Sequence, residues 1–303
     1  MIYHPSYRSV LTAALIVLTT LTCAGEQPRE LRIAVAQPLV HVGDVPQNLK
    51  NMEPLVAEAA RRGARLIVFS ECGLTGYDLK GLGAKAALTL AAPELDEVGA
   101  LAKKHSMTII TGLYERLGDK LYNTAIVLDS DGQRVVQRKH RILGLERKAC
   151  PVTPSERART LFEVDGFRFG LLICSDAGIP GIYDELAAAK CDGVILVVAG
   201  GGDARAGWHQ DALAMKPVRK KFNKQTASAL SAEAIDLSVR LNLAQIACNQ
   251  SGYDAATGYF HCGGSSIINR TGEATAVIAP RFVFEQLRPD LAVGLITRST
   301  SQP

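Results

Sequence analysis

Phe167-Arg168-Phe169-Gly170-Leu171-Leu172-Ile173-Cys174-Ser175-Asp176 decides how this chain is read. Phe167–Ile173 is aromatic and aliphatic apart from Arg168 and Gly170, which predicts a buried strand. The run stops abruptly on a thiol, a hydroxyl and a carboxylate. Downstream, Ile182–Lys190 has helical spacing and Val194–Val198 is a second apolar strand, so the segment reads strand–helix–strand.

The same alternation extends in both directions. Leu31–Ala36 reads as a strand. In Gln47–Arg62 the residues Leu49, Met52, Leu55, Val56, Ala59 and Ala60 fall on one helical face, and Gly63 sits where a helix stop belongs. Arg65–Phe69 is a strand, Leu95–His105 a helix and Thr108–Tyr114 a strand. Leu121–Leu128 and Val135–Lys139 flank Asp131-Gly132, a hairpin signal. Towards the C-terminus come a helix over Ser228–Asn242, a strand over Leu243–Cys248, and a hairpin of Ser265–Asn269 with Ala274–Ile278 around Arg270-Thr271-Gly272. Apolar strands separated by helices predict an α/β fold, and the hairpins predict a mixed sheet. No tandem repeat, low-complexity tract or linker divides the chain, so one domain is expected over residues 30–295.

Composition bounds the function. The 303 residues include 34 basic and 30 acidic side chains, a formal net charge of +4, too slight for a nucleic-acid partner without a concentrated basic face. The N-terminus differs from the rest. Arg8 precedes an apolar run, Val10–Leu21, then Thr22, Cys23, Ala24, Gly25 and Glu26. A basic head, a short apolar stretch and a small-residue exit predict a signal peptide over residues 1–25, cleaved or lipidated. Cys23 matches a lipoprotein site only loosely, because Thr22 stands where Gly or Ala is usual. A secreted or cell-envelope protein is therefore expected, with any membrane attachment confined to the N-terminus. Beyond Cys23, Cys72, Cys150, Cys174, Cys191, Cys248 and Cys262 are widely and irregularly spaced, with no CxxC pair. Small buried thiols are expected rather than a zinc site or a disulfide framework, with Cys174 outside any disulfide.

Three chemically capable side chains share one placement. Glu71 follows Leu66–Ser70, Lys139 ends Val135–Arg138, and Cys174 ends Phe169–Ile173. Ligands in α/β sheets bind outside the carboxyl ends of strands, so the three can meet in one pocket. A thiol needs a base, which Glu71 can supply if burial raises its pKa. The Lys139 ammonium, with a backbone N–H near Ser175, can stabilise a developing oxyanion. The same residues also fit blander roles: a core cysteine, a surface lysine beside Arg138 and His140, and a solvated glutamate.

Five segments in order carry a resemblance. Leu66–Tyr77, an apolar strand, Glu71 and a Leu74-Thr75-Gly76-Tyr77 turn, resembles the first motif of the nitrilase superfamily of carbon–nitrogen hydrolases. Arg138-Lys139-His140 with Glu146 resembles the second, and Gly170–Asp176 the third. Cys248–Gly252 and Phe260–Ser266 resemble two later strands. The likeness runs over about residues 31 to 280. It implies a four-layer α-β-β-α sandwich, frequently paired into a homodimer or larger homo-oligomer. It also implies a Glu71–Lys139–Glu146–Cys174 site that cleaves small amides, carbamoyl groups or nitriles with no cofactor and no metal. Glu146 fits the second glutamate better than Glu156 does. Ser175 and Asn249 are expected to contact substrate.

The chain also departs from the pattern. Ser175 replaces a frequent aromatic, Ile179-Pro180-Gly181 stands for Phe-Pro-Glu, and Cys72 beside Glu71 is unusual. Residues 200–229, with Trp208, His209 and basic Lys216, Arg219, Lys220, Lys221 and Lys224, read either as a lid over the site or as a solvated face. Hydrolysis of a small amide or carbamoyl substrate through a thioester on Cys174 is expected, because amide hydrolysis dominates the resembled family; nitrilase chemistry, transfer of the acyl group to an amine, and a non-catalytic scaffold are the alternatives.

Overall fold

The computed structural model describes residues 29–78, 80–150, 152–154, 160–203, 232–254, 258–279 and 289–298. The expected signal peptide, Glu156 and most of the 200–229 segment, including Trp208 and its basic cluster, lie outside the described residues.

Two six-stranded mixed sheets form the centre. The first contains β1 (Arg29–Gln37), β2 (Leu66–Val68), β3 (Thr108–Leu117), β4 (Lys120–Leu128), β5 (Arg134–Arg138) and β15 (Asp290–Arg298), in the order β15-β1-β2-β3-β4-β5. The second contains β6 (Leu161–Val164), β7 (Phe167–Ile173), β8 (Gly193–Val198), β10 (Ala244–Asn249), β13 (Ser266–Ile268) and β14 (Ala274–Val277), in the order β14-β13-β10-β8-β7-β6. Each sheet has three parallel strands at its heart, β1-β2-β3 and β7-β8-β10, continued by an antiparallel pair on one side and a single antiparallel strand on the other. The two halves thus repeat one layout although the sequence shows no repeat.

The layers follow from where the apolar residues point. Ile33, Val35, Val68 and Val127 of the first sheet meet Phe169, Leu171, Ile195 and Ile246 of the second in a sandwiched core. Alternate residues of the first sheet, Ala34, Ile67, Ile109 and Ile126, face outward and pack on α1 (Val45–Arg61) and α3 (Pro93–His105). Helix α2 (Leu82–Lys85) is a single short turn. On the other side, Leu172 and Val194 pack against Ile182 and Leu186 of α4 (Ile182–Ala188), with Leu241 of α5 (Ala232–Leu241) against the same cluster. The result is the expected α-β-β-α sandwich.

Local chemistry sets the helix limits. Asp44 caps α1 by accepting from the Gln47 N–H at 3.1 Å, and Pro46 follows in the first turn. In α3, Glu94 and Asp96 lie in the first turn and Lys103, Lys104 and His105 in the last, which complements the helix dipole. A third, small sheet of β9 (Gly201–Asp203), β11 (Ser251–Asp254) and β12 (Tyr259–Cys262) lies beyond the carboxyl ends of β8 and β10. The sequence reading missed α2, β6, β9 and β15. Among the described residues, no helix is long and apolar enough to cross a membrane.

One close approach links the fold to the site. The chain leaving β2 bonds straight onto β3: Gly112 N–H donates to Ser70 O at 3.1 Å, and Leu74 N–H donates to Gly112 O at 2.9 Å. A Cβ on Gly112 would stand 2.2 Å from the Cys72 nitrogen and 2.8 Å from the Glu71 carbonyl carbon. Both obstacles are backbone, so only glycine fits. Gly112→Ala is expected to destabilise the fold by about 1–3 kcal/mol, the usual cost of overpacking. Thermal unfolding checks this, and an unchanged melting temperature would contradict it.

Candidate active site

Three of the four candidate catalytic residues sit at or just beyond the carboxyl end of a strand. Glu71 lies three residues beyond β2, Lys139 directly follows β5, and Cys174 directly follows β7. Glu146 comes from a 3₁₀ turn over Gly144–Lys148. Glu71, Lys139 and Glu146 are all buried, each 2% exposed or less.

Lys139 is the centre of the cluster. Its Nζ donates to Glu71 Oε1 at 2.6 Å and to both carboxylate oxygens of Glu146 at 2.9 Å. Desolvation pulls the ammonium down, but attraction from Glu71, Cys174 and Glu146 outweighs it and holds Lys139 well above the ordinary lysine range. Glu146 shifts the opposite way for an ion-pair partner. Burial, and then repulsion by Glu71, raises it despite its contacts with Lys139 and Asn123. Two carboxylates share one ammonium, so the cluster carries an excess negative charge that Glu146 holds with difficulty.

Further donors compensate. The Asn123 carboxamide, on β4, gives one hydrogen to Glu71 Oε1 and the other to Glu146 Oε1, both at 2.8 Å. The Ala199 N–H, at the end of β8, donates to Glu71 Oε2 at 2.8 Å. This last bond joins the second sheet to a side chain carried by the first. Sequence reasoning did not single out Asn123. Its signal was a polar pair, Asn123-Thr124, inside the apolar run Leu121–Leu128.

Cys174 faces this cluster from the second sheet. Its φ is +47°, left-handed for a non-glycine residue, and the chain passes at once from β7 into a 3₁₀ turn over Cys174–Gly178. Such backbone strain, about 1–3 kcal/mol, persists only where surroundings hold it. Asp176 is one such restraint, because its Oδ1 accepts from the His140 N–H at 3.0 Å and the Arg141 N–H at 2.8 Å, clamping the cysteine turn to the segment after Lys139. The thiol lies close enough to Glu71, Lys139 and Glu146 for their charges to act on it. Burial first, and the Glu71 carboxylate second, push the thiol up to about 12 against the pull of Lys139. The group is therefore a neutral thiol at ordinary pH, and its proton must leave as it attacks. All six described cysteines carry free thiols, and Cys174 is the one that is not fully buried.

The side chains of Ser175 and Asn249, the residues expected to contact substrate, bond to backbone groups. The Ser175 hydroxyl donates to the Arg141 carbonyl. Asn249 Oδ1 accepts from the Gly200 N–H at 2.8 Å, and its Nδ2 donates to Gly263 O at 2.6 Å. Its amide thereby fixes the backbone entering β9 against the loop after β12. His261, also missed in the sequence, places Nδ1 3.2 Å from the Ala199 carbonyl and packs tilted against Tyr259 and edge-on to Tyr77, with ring centroids 4.9 and 6.1 Å away.

A hollow of about 340 Å³ has Cys174, Ser175, Ala177 and Gly178 of the cysteine turn in its wall, with Leu143 and residues of α4, α5, β8 and β10; Glu71, Lys139 and Glu146 do not line it. Another, of about 570 Å³, lies between α3 and the β4–β5 turn, at the opposite end of the sheet from Lys139. Among the described residues, no group of three His, Cys, Asp or Glu side chains gathers to hold a metal ion.

A cysteine on a strained strand end, facing a buried Glu–Lys–Glu cluster between two stacked sheets, defines the nitrilase-superfamily class of α/β sandwich. The chain belongs to the carbon-nitrogen hydrolase family, whose model matches residues 32–282. Among curated proteins it is 31% identical over 175 residues to "Hydrolase in pqqF 5'region" of Pseudomonas protegens, covering 56% of this chain and 60% of that protein. It is 29% identical over 205 residues to a bifunctional nitrilase/nitrile hydratase of Lupinus angustifolius, covering 59% and 55%. The chain thus spans at most about 60% of the length of these relatives. Among solved structures, the Nesterenkonia AN1 amidase from the nitrilase superfamily superposes with a TM-score of 0.69 at 19% identity, over 87% of this chain and 90% of that one. That likeness is one of fold.

The geometry predicts how Cys174 titrates. The thiolate absorbance difference between the wild type and Cys174→Ser is expected to stay flat through pH 9, the value of an ordinary thiol, and to rise only towards about 12. A difference signal already saturated at pH 9 would contradict the environment described.

Proposed function

We propose that this protein hydrolyses a small amide or carbamoyl substrate through a thioester on Cys174. The observation that carries this reading is the placement of Cys174 at a strand end beside the buried Glu71, whose carboxylate is held by Lys139, Asn123 and the Ala199 N–H. The Nesterenkonia AN1 amidase supports it by analogy, since structures of its variants carry covalent additions at the active-site cysteine.

The steps follow from the donors and acceptors. Sulfur attacks the substrate carbonyl carbon as the thiol proton passes to Glu71, and the carbonyl π pair moves onto oxygen. Lys139 spends one N–H on Glu71 and can hold both Glu146 oxygens with a second, which leaves a third for the oxyanion. The backbone N–H of Ser175 is the second donor. As the carbonyl reforms, the C–N bond breaks and Glu71 returns its proton to the leaving nitrogen. Water then gives a proton to Glu71 and attacks the thioester, and the departing sulfur takes that proton back. Glu146 keeps Lys139 in place and, through the cluster's excess negative charge, orients the N–H groups of the leaving amide. The nitrilase relatives favour a second reading on the same residues, in which a nitrile forms a thioimidate on Cys174.

Ammonia release from a panel of short aliphatic amides, carbamoyl compounds and nitriles tests the reading. The wild type is expected to turn over amides faster than nitriles, and Cys174→Ser to lose about 10³-fold or more in kcat, as removal of a nucleophile does, with its melting temperature little changed. A folded Cys174→Ser as active as the wild type would refute the proposal.

A further inference from the structure

We propose that Asn123 is a positioning residue that dictates which oxygen of Glu71 receives the Cys174 proton. The inference rests on the reading of Glu71 and Cys174 above and adds a residue outside the Glu–Lys–Glu–Cys set.

The two oxygens of Glu71 are unequally occupied. Glu71 Oε1 accepts from Lys139 Nζ at 2.6 Å and from Asn123 Nδ2 at 2.8 Å. A carboxylate oxygen offers two in-plane lone pairs, so Oε1 is full. Among the described residues, Oε2 accepts only from the Ala199 N–H, at 2.8 Å, which leaves one lone pair for the thiol proton. The thiol proton therefore goes to Oε2, on the side of Glu71 nearest the second sheet. Without Asn123, Oε1 would also offer a free lone pair, and the proton could settle beside Lys139, away from the leaving nitrogen.

The orientation of the amide is fixed by its surroundings. With nitrogen towards the carboxylates, Asn123 gives one hydrogen to each; the flipped amide would aim its oxygen at both anions. The opposite end agrees, since Asn123 Oδ1 accepts from the Cys72 thiol at 3.7 Å. The backbone is tied as well, with the Lys139 N–H donating to Asn123 O at 2.8 Å. Asn123 is 1% exposed, so water does not compete for these bonds. By bridging two carboxylates it also holds like charges at a set separation, so that Lys139 meets both.

Asn123→Ala tests the idea through kinetics that a purely structural role would not reproduce. The variant is expected to lose about 10- to 100-fold in kcat, the worth of one hydrogen bond to a charged group, with KM little changed. The acid limb of its kcat/KM profile is expected to move to higher pH, because a carboxylate that loses a donor holds its proton more tightly. Asn123→Ser, which keeps a shorter hydroxyl donor, is expected to fall between the two, and it decides the matter on the same readouts if Asn123→Ala does not fold. A folded variant with wild-type kcat and an unmoved acid limb overturns the proposal. Cys174→Ser run alongside separates the failures. If it is inactive while Asn123→Ala is unaffected, only the positioning role falls; if it remains active, the hydrolytic reading falls first.

Discussion

The arrangement of this protein depends on one buried ammonium. Lys139 is 2% exposed and lies between two carboxylates that are themselves out of water. Burying three ionised groups costs several kcal/mol for each, and the cost is recovered only where every lone pair and proton finds a partner. Here Asn123 and the Ala199 N–H complete what Lys139 cannot do alone. Removing the lysine would leave two facing carboxylates unpaired, the situation in which a broken buried pair costs about 3–5 kcal/mol.

That cluster explains why two sheets are needed. Glu71, Asn123 and Lys139 belong to the first sheet and its exits, whereas Cys174 and Ala199 end strands of the second. The apolar sandwich between them holds the two sets of carboxyl ends in register. Asp176 ties the cysteine turn to the backbone after Lys139, and the Ala199 N–H ties β8 to Glu71. The strained φ of Cys174 is tolerable because its turn is held from both sheets. Function in this reading is a property of the seam between two similar halves.

Much of this was legible before any coordinates. Strands such as Phe167–Ile173 and helices such as Val45–Arg61 announce themselves by local period, and the charged residues at strand ends mark the site. What stayed hidden depends on distant partners. Leu161–Val164 is too short to carry a pattern. Gly201–Asp203 begins with two glycines and forms a strand only because Phe260 and His261 lie beside it. Asp290–Arg298 pairs with Arg29–Gln37, the two ends of the described chain. Asn123 looked like a polar interruption in a strand, because its two acceptors lie 52 and 23 residues away. The bonds of Asn249 to Gly200 and Gly263, which hold two loops together, were equally invisible in the local sequence.

The most direct measurement is peptide-resolved mass spectrometry of the wild-type protein, quenched in acid during turnover of a short amide. The account predicts an increment equal to the acyl group on the peptide containing Cys174, and on no other cysteine peptide. Turnover without any adduct on Cys174, or with the adduct on Cys72 or another thiol, would contradict it.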